Sequence, residues 1–203
     1  FYAAWLDPGM VYSCAYFEQG DEDLALAQTQ KIDHILRKID LRPGQTLLDI
    51  GCGWGALALR AAEQFGARCV GITLSENQAA LARERVIKAG LQDRVEIRIQ
   101  DYRDVGGHFE RITSVGMFEH VGVRHLKDYF ARVASLLAPG GVAMNHGITT
   151  TDADNGATPY GGGQFIDEYV FPQGELAHLG TVVRAMQEGG LEVRDVENLR
   201  RHY

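Results

Sequence analysis

Residues 47–55 read Leu47-Leu48-Asp49-Ile50-Gly51-Cys52-Gly53-Trp54-Gly55. A short apolar run with one acid, three glycines at alternate positions, and an alanine- and leucine-rich stretch over 56–65 is the pattern of strand, tight turn and helix. Glycine lets the backbone turn sharply and lets a ligand approach main-chain nitrogens. The turn is therefore expected to bind a ligand at the start of a helix. The bland alternative is a tight connection and nothing more.

Working outward, Leu24, Ala27, Ile32, Ile35, Leu36 and Ile39 fall at three- and four-residue steps, which predicts a helix over 21–39. Pro43-Gly44 punctuates before the quoted strand. Downstream, strands are expected over 68–74, 95–99, 111–116 and 142–148. They alternate with helices from Ser75 to Gly90, over 125–138 and over 175–188, and a last strand is expected over 191–196. Ser75 and Gln78 have the spacing of a capping box. This alternation predicts an α/β fold, a mostly parallel sheet with helices on both faces. Residues 149–163 break the pattern with Gly, Thr, Asp and Pro and read as a long functional loop. Residues 1–20, with Phe1, Tyr2, Trp5, Tyr12, Tyr16 and Phe17, read as an aromatic lid on a domain spanning 21–203. The chain opens without a start methionine and closes on Arg200-Arg201-His202-Tyr203, as the middle of a longer protein would.

The chain has 203 residues, 45% of them hydrophobic, enough for a sizeable core and too many for global disorder. Lys and Arg number 20 against 27 Asp and Glu, a net charge of -7, so nucleic acid is not expected as a partner. Three cysteines, Cys14, Cys52 and Cys69, form neither a disulfide framework nor a metal-ligand pattern, so no metal is expected and a reducing, cytoplasmic setting is. There is no run of 18 apolar residues and no export leader, so the chain reads as soluble.

Two cofactor classes compete for the glycine turn. A dinucleotide site needs G-x-G-x-x-G and an acid about 20 residues on. Here the spacing is G-x-G-x-G, and the second strand ends Gly71-Ile72-Thr73-Leu74 without an acid. The turn instead resembles that of the class I, Rossmann-like methyltransferases, whose sheet holds S-adenosylmethionine and releases S-adenosylhomocysteine. On that resemblance Asp49 orients the turn or the cofactor's ammonium group, with Gly51, Gly53 and Gly55 forming the cradle. Asp101 accepts from the adenine amino group, beside the Tyr102 amide.

Further stretches are more restrictive: Val11-Tyr12-Ser13-Cys14-Ala15-Tyr16-Phe17, Gly71-Ile72-Thr73-Leu74-Ser75-Glu76-Asn77-Gln78, Ser114-Val115-Gly116-Met117-Phe118-Glu119-His120-Val121-Gly122, Phe165-Ile166-Asp167-Glu168-Tyr169-Val170-Phe171-Pro172 and His202-Tyr203. Together they resemble the cyclopropane-fatty-acyl-phospholipid synthase family, which includes the mycolic acid cyclopropane synthases, along essentially the whole chain. The resemblance implies that Tyr12 and Ser13 close over the cofactor and that Thr73, Leu74 and Gln78 take its ribose side. It implies a bicarbonate ion as catalytic base, caged by Cys14, Glu119, His146, the Ile148 backbone and Tyr203. Glu119 then accepts the bicarbonate hydroxyl while His146, Tyr203 and the Ile148 amide donate.

The implied substrate is a cis double bond in the acyl chain of a membrane phospholipid, met by peripheral contact at the inner membrane face. Methyl transfer to that bond makes a carbocation, and loss of a proton from the new methyl closes a cyclopropane ring. A caged anion serves as base and stabilises the charge, and water must be excluded. A homodimer is left open.

Simpler readings compete at each residue. Cys14 is a small buried residue by default, Glu119 a helix-start carboxylate and His146 a core histidine; the family match favours function for all three. Cys52, Cys69 and Trp54 read as packing, and His34, His108, His120, His125 and His178 receive no role. Rivals to ring formation are a sister lipid enzyme leaving a methyl or methylene branch, a small-molecule methyltransferase, and a module that binds the cofactor without catalysis.

Overall fold

The computed structural model describes residues 1–152 and 174–202. Five strands, β1 (Thr46–Ile50), β2 (Arg68–Thr73), β3 (Val95–Ile99), β4 (Phe109–Val115) and β5 (Leu137–His146), form one sheet in the order β3-β2-β1-β4-β5. β1 runs parallel to β2 and to β4, and β2 parallel to β3. The helices are α1 (Leu24–Lys38), α2 (Ala56–Phe65), α3 (Glu76–Lys88), α4 (Leu126–Leu136) and α5 (Leu179–Glu188). The chain progresses from β1 towards β3 in one direction and then returns to β4 on the other side of β1. In an open α/β sheet such a reversal opens a crevice at the carboxyl ends of the strands, where ligands bind. The glycine turn leaves β1 at that end.

Local chemistry explains the elements. β1 is central, and its Leu47, Leu48 and Ile50 are fully buried, as a continuous apolar strand requires. The Asp23 side chain caps α1 by accepting from the Leu26 amide at 2.8 Å. At the other end of α1, Arg111 of β4 donates to the carbonyls of Ile39 and Asp40, which no helical partner would satisfy.

The chain divides into two compact units: Phe1–Ser114 with Leu136–Met144 and Glu197–Tyr203, and Val115–Ser135 with Asn145–Val196. In the first, Ile35, Leu36 and Ile39 join the β1 and β2 side chains in the core; in the second, Leu126, Tyr129 and Phe130 of α4 are fully buried.

Several expected boundaries move. The helix over 125–138 stops at Leu136, because Pro139 disfavours helical backbone at Ala138 and would clash one turn back. The chain enters β5 at Leu137 and leaves it at His146, so Ile148 lies outside the strand; its amide is taken by a side chain. The helix over 175–188 begins only at Leu179, where the His178 ring accepts from the Gly180 amide at 3.1 Å. Residues 191–196 form no strand: Leu191 and Val193 are half-buried, but no ladder partner is present among the described residues. The capping box is half made, since Ser75 Oγ accepts from the Gln78 amide at 3.3 Å but the Gln78 side chain turns to Thr73. The stretch 165–172 and most of the loop over 149–163 lie outside the described residues.

Candidate functional site

In the first unit, three segments leave the sheet at its carboxyl edge. After β1 the chain turns with φ of 78°, 54° and 86° at Gly51, Gly53 and Gly55. The amides of Gly51 and Cys52 both bond the Ile72 carbonyl, at 3.0 and 2.9 Å, which ties the turn to β2. Among the described residues, a Cβ on Gly53 would meet nothing within 4 Å, so the turn faces open space there. One on Gly55 would come within 3.1 Å of Ala82 Cβ, because α3 packs against the turn.

Asp49 is buried in β1, and its Oδ1 accepts from the Thr113 hydroxyl at 2.9 Å. Burial pushes its carboxyl up to about 6, against the opposing pull of Thr113 and of the Lys31 ammonium. If Asp49 serves a cofactor ammonium group, it does so as a carboxylate, which is present above pH 6 and lost below it. The affinity for S-adenosylhomocysteine is therefore expected to fall about tenfold between pH 7.5 and pH 5, the value of one charge-assisted hydrogen bond. Calorimetric titration across that range tests this, and a profile no steeper than that of Asp49→Asn contradicts it.

After β2, Thr73 is buried and donates through its hydroxyl to Gln78 Oε1 at 2.8 Å, while Leu74 is 71% exposed. After β3, Asp101 accepts from the Arg103 amide at 2.9 Å, and the Arg103 guanidinium grips both its oxygens at 2.9 and 2.6 Å. That ion pair holds the Asp101 carboxyl below the usual range. The Arg103 guanidinium also stands 6.0 Å from the Tyr102 ring centre. Apolar Ile99 is exposed two residues before this acid. An open glycine turn, a hydroxyl–amide pair and an acid beside exposed apolar side chains, on three adjacent parallel strands, suit a ligand with a polar tail, a ribose and a flat base.

The N-terminal segment belongs to the same unit. The rings of Phe1, Tyr2, Trp5 and Tyr12 form a cluster, with Tyr2 and Tyr12 centred 5.1 Å apart. Tyr2 also meets Trp54 of the glycine turn at 5.2 Å. Asp7 accepts from the amides of Gly9 and Val11, and Arg85 of α3 donates to the carbonyls of Pro8 and Gly9. Ser13 and half-buried Cys14 follow, with the Ser13 Oγ 2.5 Å from Lys31 Nζ. Sequence reasoning missed Gln28, Lys31 and Arg85 as anchors of this segment. The signal was present for Lys31, which stands four residues from Ala27 and from Ile35 on the apolar stripe of α1. Cys52 and Cys69 are buried, which raises both thiols.

In the second unit, Glu119 sits in a short 3-10 turn (Phe118–His120) just beyond β4. It is buried, and its Oε1 accepts from the Ile148 amide at 2.8 Å. Its Oε2 is also buried and has no hydrogen-bond partner among the described residues. Burial raises the Glu119 carboxyl, and the Ile148 bond partly offsets this. The Gly116 amide bonds the carbonyl of His146, itself buried, at 2.8 Å. A Cβ on Gly147 would fall 2.8 Å from Glu119 Oε1 and 2.0 Å from the Phe118 ring, so the backbone passes directly beside the carboxylate. Glu119, His146 and Ile148 are thus gathered in the second unit. Cys14 belongs to the first, and Tyr203 lies outside the described residues. The Ile148 amide, expected to donate to an anion, donates here to the Glu119 carboxylate.

A family model described as mycolic acid cyclopropane synthetase matches residues 1–203. The chain belongs to the mycolic acid cyclopropane synthetase family. This family member is 50% identical over 205 residues to a probable fatty acid methyltransferase of Pseudomonas putida, covering 100% of this chain and 52% of that protein. It is 41% identical over 186 residues to the cyclopropane-fatty-acyl-phospholipid synthase of Escherichia coli strain K12, covering 92% and 46%. The solved mycolic acid cyclopropane synthase CmaA1, complexed with SAH and CTAB, matches with a TM-score of 0.91 at 35% identity, covering 99% of this chain and 73% of that one. The chain spans about half the length of the curated relatives it matches. Its sheet is that of the class I methyltransferases, and the three carboxyl-edge segments fit S-adenosylmethionine. The orphaned Glu119 oxygen fits an anion that carries a hydroxyl.

Proposed function

We propose that this chain forms the catalytic core of an S-adenosylmethionine-dependent lipid enzyme that converts cis double bonds of phospholipid acyl chains into cyclopropane rings, with bicarbonate as the base. The observation that supports the reading best is the buried Glu119 carboxylate, one oxygen fixed by the Ile148 amide and the other left as an unused acceptor. A heteroatom methyl transfer has no need of such a group.

Bound in the cradle, S-adenosylmethionine supplies an electrophilic methyl group and bicarbonate a base, so that one carbon adds to the double bond and one proton is taken up. The chain's residues do the rest. Gly51, Gly53 and Gly55 admit the cofactor, Asp49 holds its ammonium group, Thr73, Leu74 and Gln78 line its ribose side, and Asp101 and Tyr102 meet the adenine. Because Arg103 already grips Asp101, the adenine amino group takes a remaining lone pair. Glu119 Oε2 accepts from the anion's hydroxyl and His146 donates to its oxygens, and the family resemblance adds Cys14 and Tyr203 to the roles around it. Ile148 acts through Glu119, whose carboxylate it orients. Tyr12, Ser13 and the aromatic segment keep water from the cation. Substrate is drawn from the inner membrane face by peripheral contact, and dimerisation is compatible with this reading.

A second reading, a methyl or methylene branch in place of the ring, is favoured by the relative described as a probable fatty acid methyltransferase. Mass spectrometry of lipids from cells expressing the full-length protein tests both. Unsaturated phospholipids are expected to gain the mass of one CH2, with loss of the double bond for a ring and with a double bond retained for a branch. Ring fragments support the first reading and branch fragments the second, and unchanged lipids refute both.

A further inference from the structure

Helix α1 turns two polar side chains inward where its apolar pattern calls for leucine or methionine. Gln28 and Lys31 are each 3% exposed. An interior ammonium is expensive, and so is an amide oxygen left without a partner, which is the condition of Gln28 Oε1 among the described residues. Both side chains spend their donors on one stretch of the N-terminal segment. Gln28 Nε2 lies 2.8 Å from the Ser13 carbonyl and 3.4 Å from that of Val11, and Lys31 Nζ lies 2.5 Å from the Ser13 hydroxyl. Beside them, the Tyr16 amide bonds the Ala27 carbonyl of the same helix at 3.1 Å. Residues 11–17 have no helix or strand of their own, so these bonds to α1 set their course.

The charged and titratable groups facing Lys31 are Cys14 and Asp7 from the N-terminal segment and Asp49 from β1. The Lys31 ammonium therefore sits between the strand that feeds the glycine turn and the segment assigned to close over the cofactor. Burial brings it down to about 8, so it remains charged at neutral pH. Replacing Lys31 would leave the Asp49 carboxylate buried without its facing ammonium and would lower stability. Gln28 instead carries an unpaired oxygen that adds nothing to the core, and retaining it points to a role other than stability.

We infer that Gln28 and Lys31 are positioning residues, a two-point latch that holds Val11–Cys14 in place over the cofactor cradle. The inference rests on the cofactor half of the proposed function and not on the lipid half. It is tested in the full-length protein with Lys31→Met and Gln28→Met. The readouts are the dissociation constant of S-adenosylhomocysteine, the split of KM against kcat for S-adenosylmethionine, amide exchange of residues 11–17, and Tm. Lys31→Met is expected to lower Tm, because Asp49 loses its facing ammonium, to weaken S-adenosylhomocysteine at least tenfold, to raise KM more than it lowers kcat, and to speed exchange of 11–17. Gln28→Met is expected to show the same changes in affinity, KM and exchange at about threefold or more. Affinity and exchange within twofold of the unmodified protein in Lys31→Met overturn the latch. Should Lys31→Met not fold, Gln28→Met decides by the same limits; should neither fold, the pair is structural and the inference is wrong. An unmodified protein that binds S-adenosylhomocysteine but leaves lipids unchanged sinks the lipid reading and leaves the latch standing.

Discussion

Glu119→Gln is expected to lower kcat by about 10²- to 10⁴-fold, the usual range for losing a group that manages a proton in the transition state, while S-adenosylhomocysteine binds within threefold of its original affinity. The substitution is nearly isosteric. The amide oxygen still accepts from the Ile148 amide that now bonds Oε1 at 2.8 Å, so the local backbone keeps its anchor. The change falls on the other atom: a buried acceptor without a partner becomes an NH2 donor. A donor in that place cannot accept the anion's hydroxyl proton, so the anion binds in a different orientation. Stability is expected to hold or rise slightly, because a carboxylate whose burial already penalises its charged form is replaced by a neutral group. Stopped turnover assays and calorimetry on the same preparation read the two quantities. An equal loss of turnover and cofactor affinity would show that Glu119 serves the fold of the cradle and not the chemistry.

Gly53→Val is expected to do the opposite, removing cofactor binding first. At a φ of 54° a side chain costs about 1–2 kcal/mol, more for a β-branched residue. A loss of that size lowers Tm by about 2–4 °C per kcal/mol in a domain of this length. The decisive effect lies elsewhere. The added atoms project into the open space beside the turn, which no atom of the described residues fills within 4 Å. If a ligand occupies that space, overpacking of about 1–3 kcal/mol weakens S-adenosylhomocysteine about ten- to a hundredfold. Gly44→Val is the control: Gly44 also has positive φ, at 83°, and open surroundings, but lies before β1 and away from the carboxyl edge. It is expected to lower Tm similarly and leave affinity unchanged. Gly53→Val binding within twofold of the original protein would mean that the turn is a connection and not a cradle.

What the residue pattern revealed, and what it hid, follows from the range of the interactions. The strand, glycine turn and helix around Asp49 are short-range features, and β1, the three positive-φ glycines and α2 stand where alternation and glycine spacing put them. The mostly parallel sheet followed from the alternation of strand and helix. Boundaries moved where a single long-range bond intervened: Ile148 left the strand because Glu119, distant in sequence, takes its amide. Gln78 abandoned its half of the capping box for the Thr73 hydroxyl. Asp101 was legible as an acid at a strand tip, but its capture by Arg103 depends on a turn that only the folded backbone supplies. The anchors of the N-terminal segment were hardest to see, since Gln28 and Arg85 look like ordinary polar positions on a helix until the segment lies against them.

The interior charges of the first unit carry one more consequence. Asp49 loses its proton near 6 and Lys31 keeps its own up to about 8, so the two are oppositely charged together in the interval between. Dissolved inorganic carbon is mainly bicarbonate across most of that same interval, and acid converts it to carbon dioxide. Acidification would withdraw the proposed base and discharge the aspartate in one stroke.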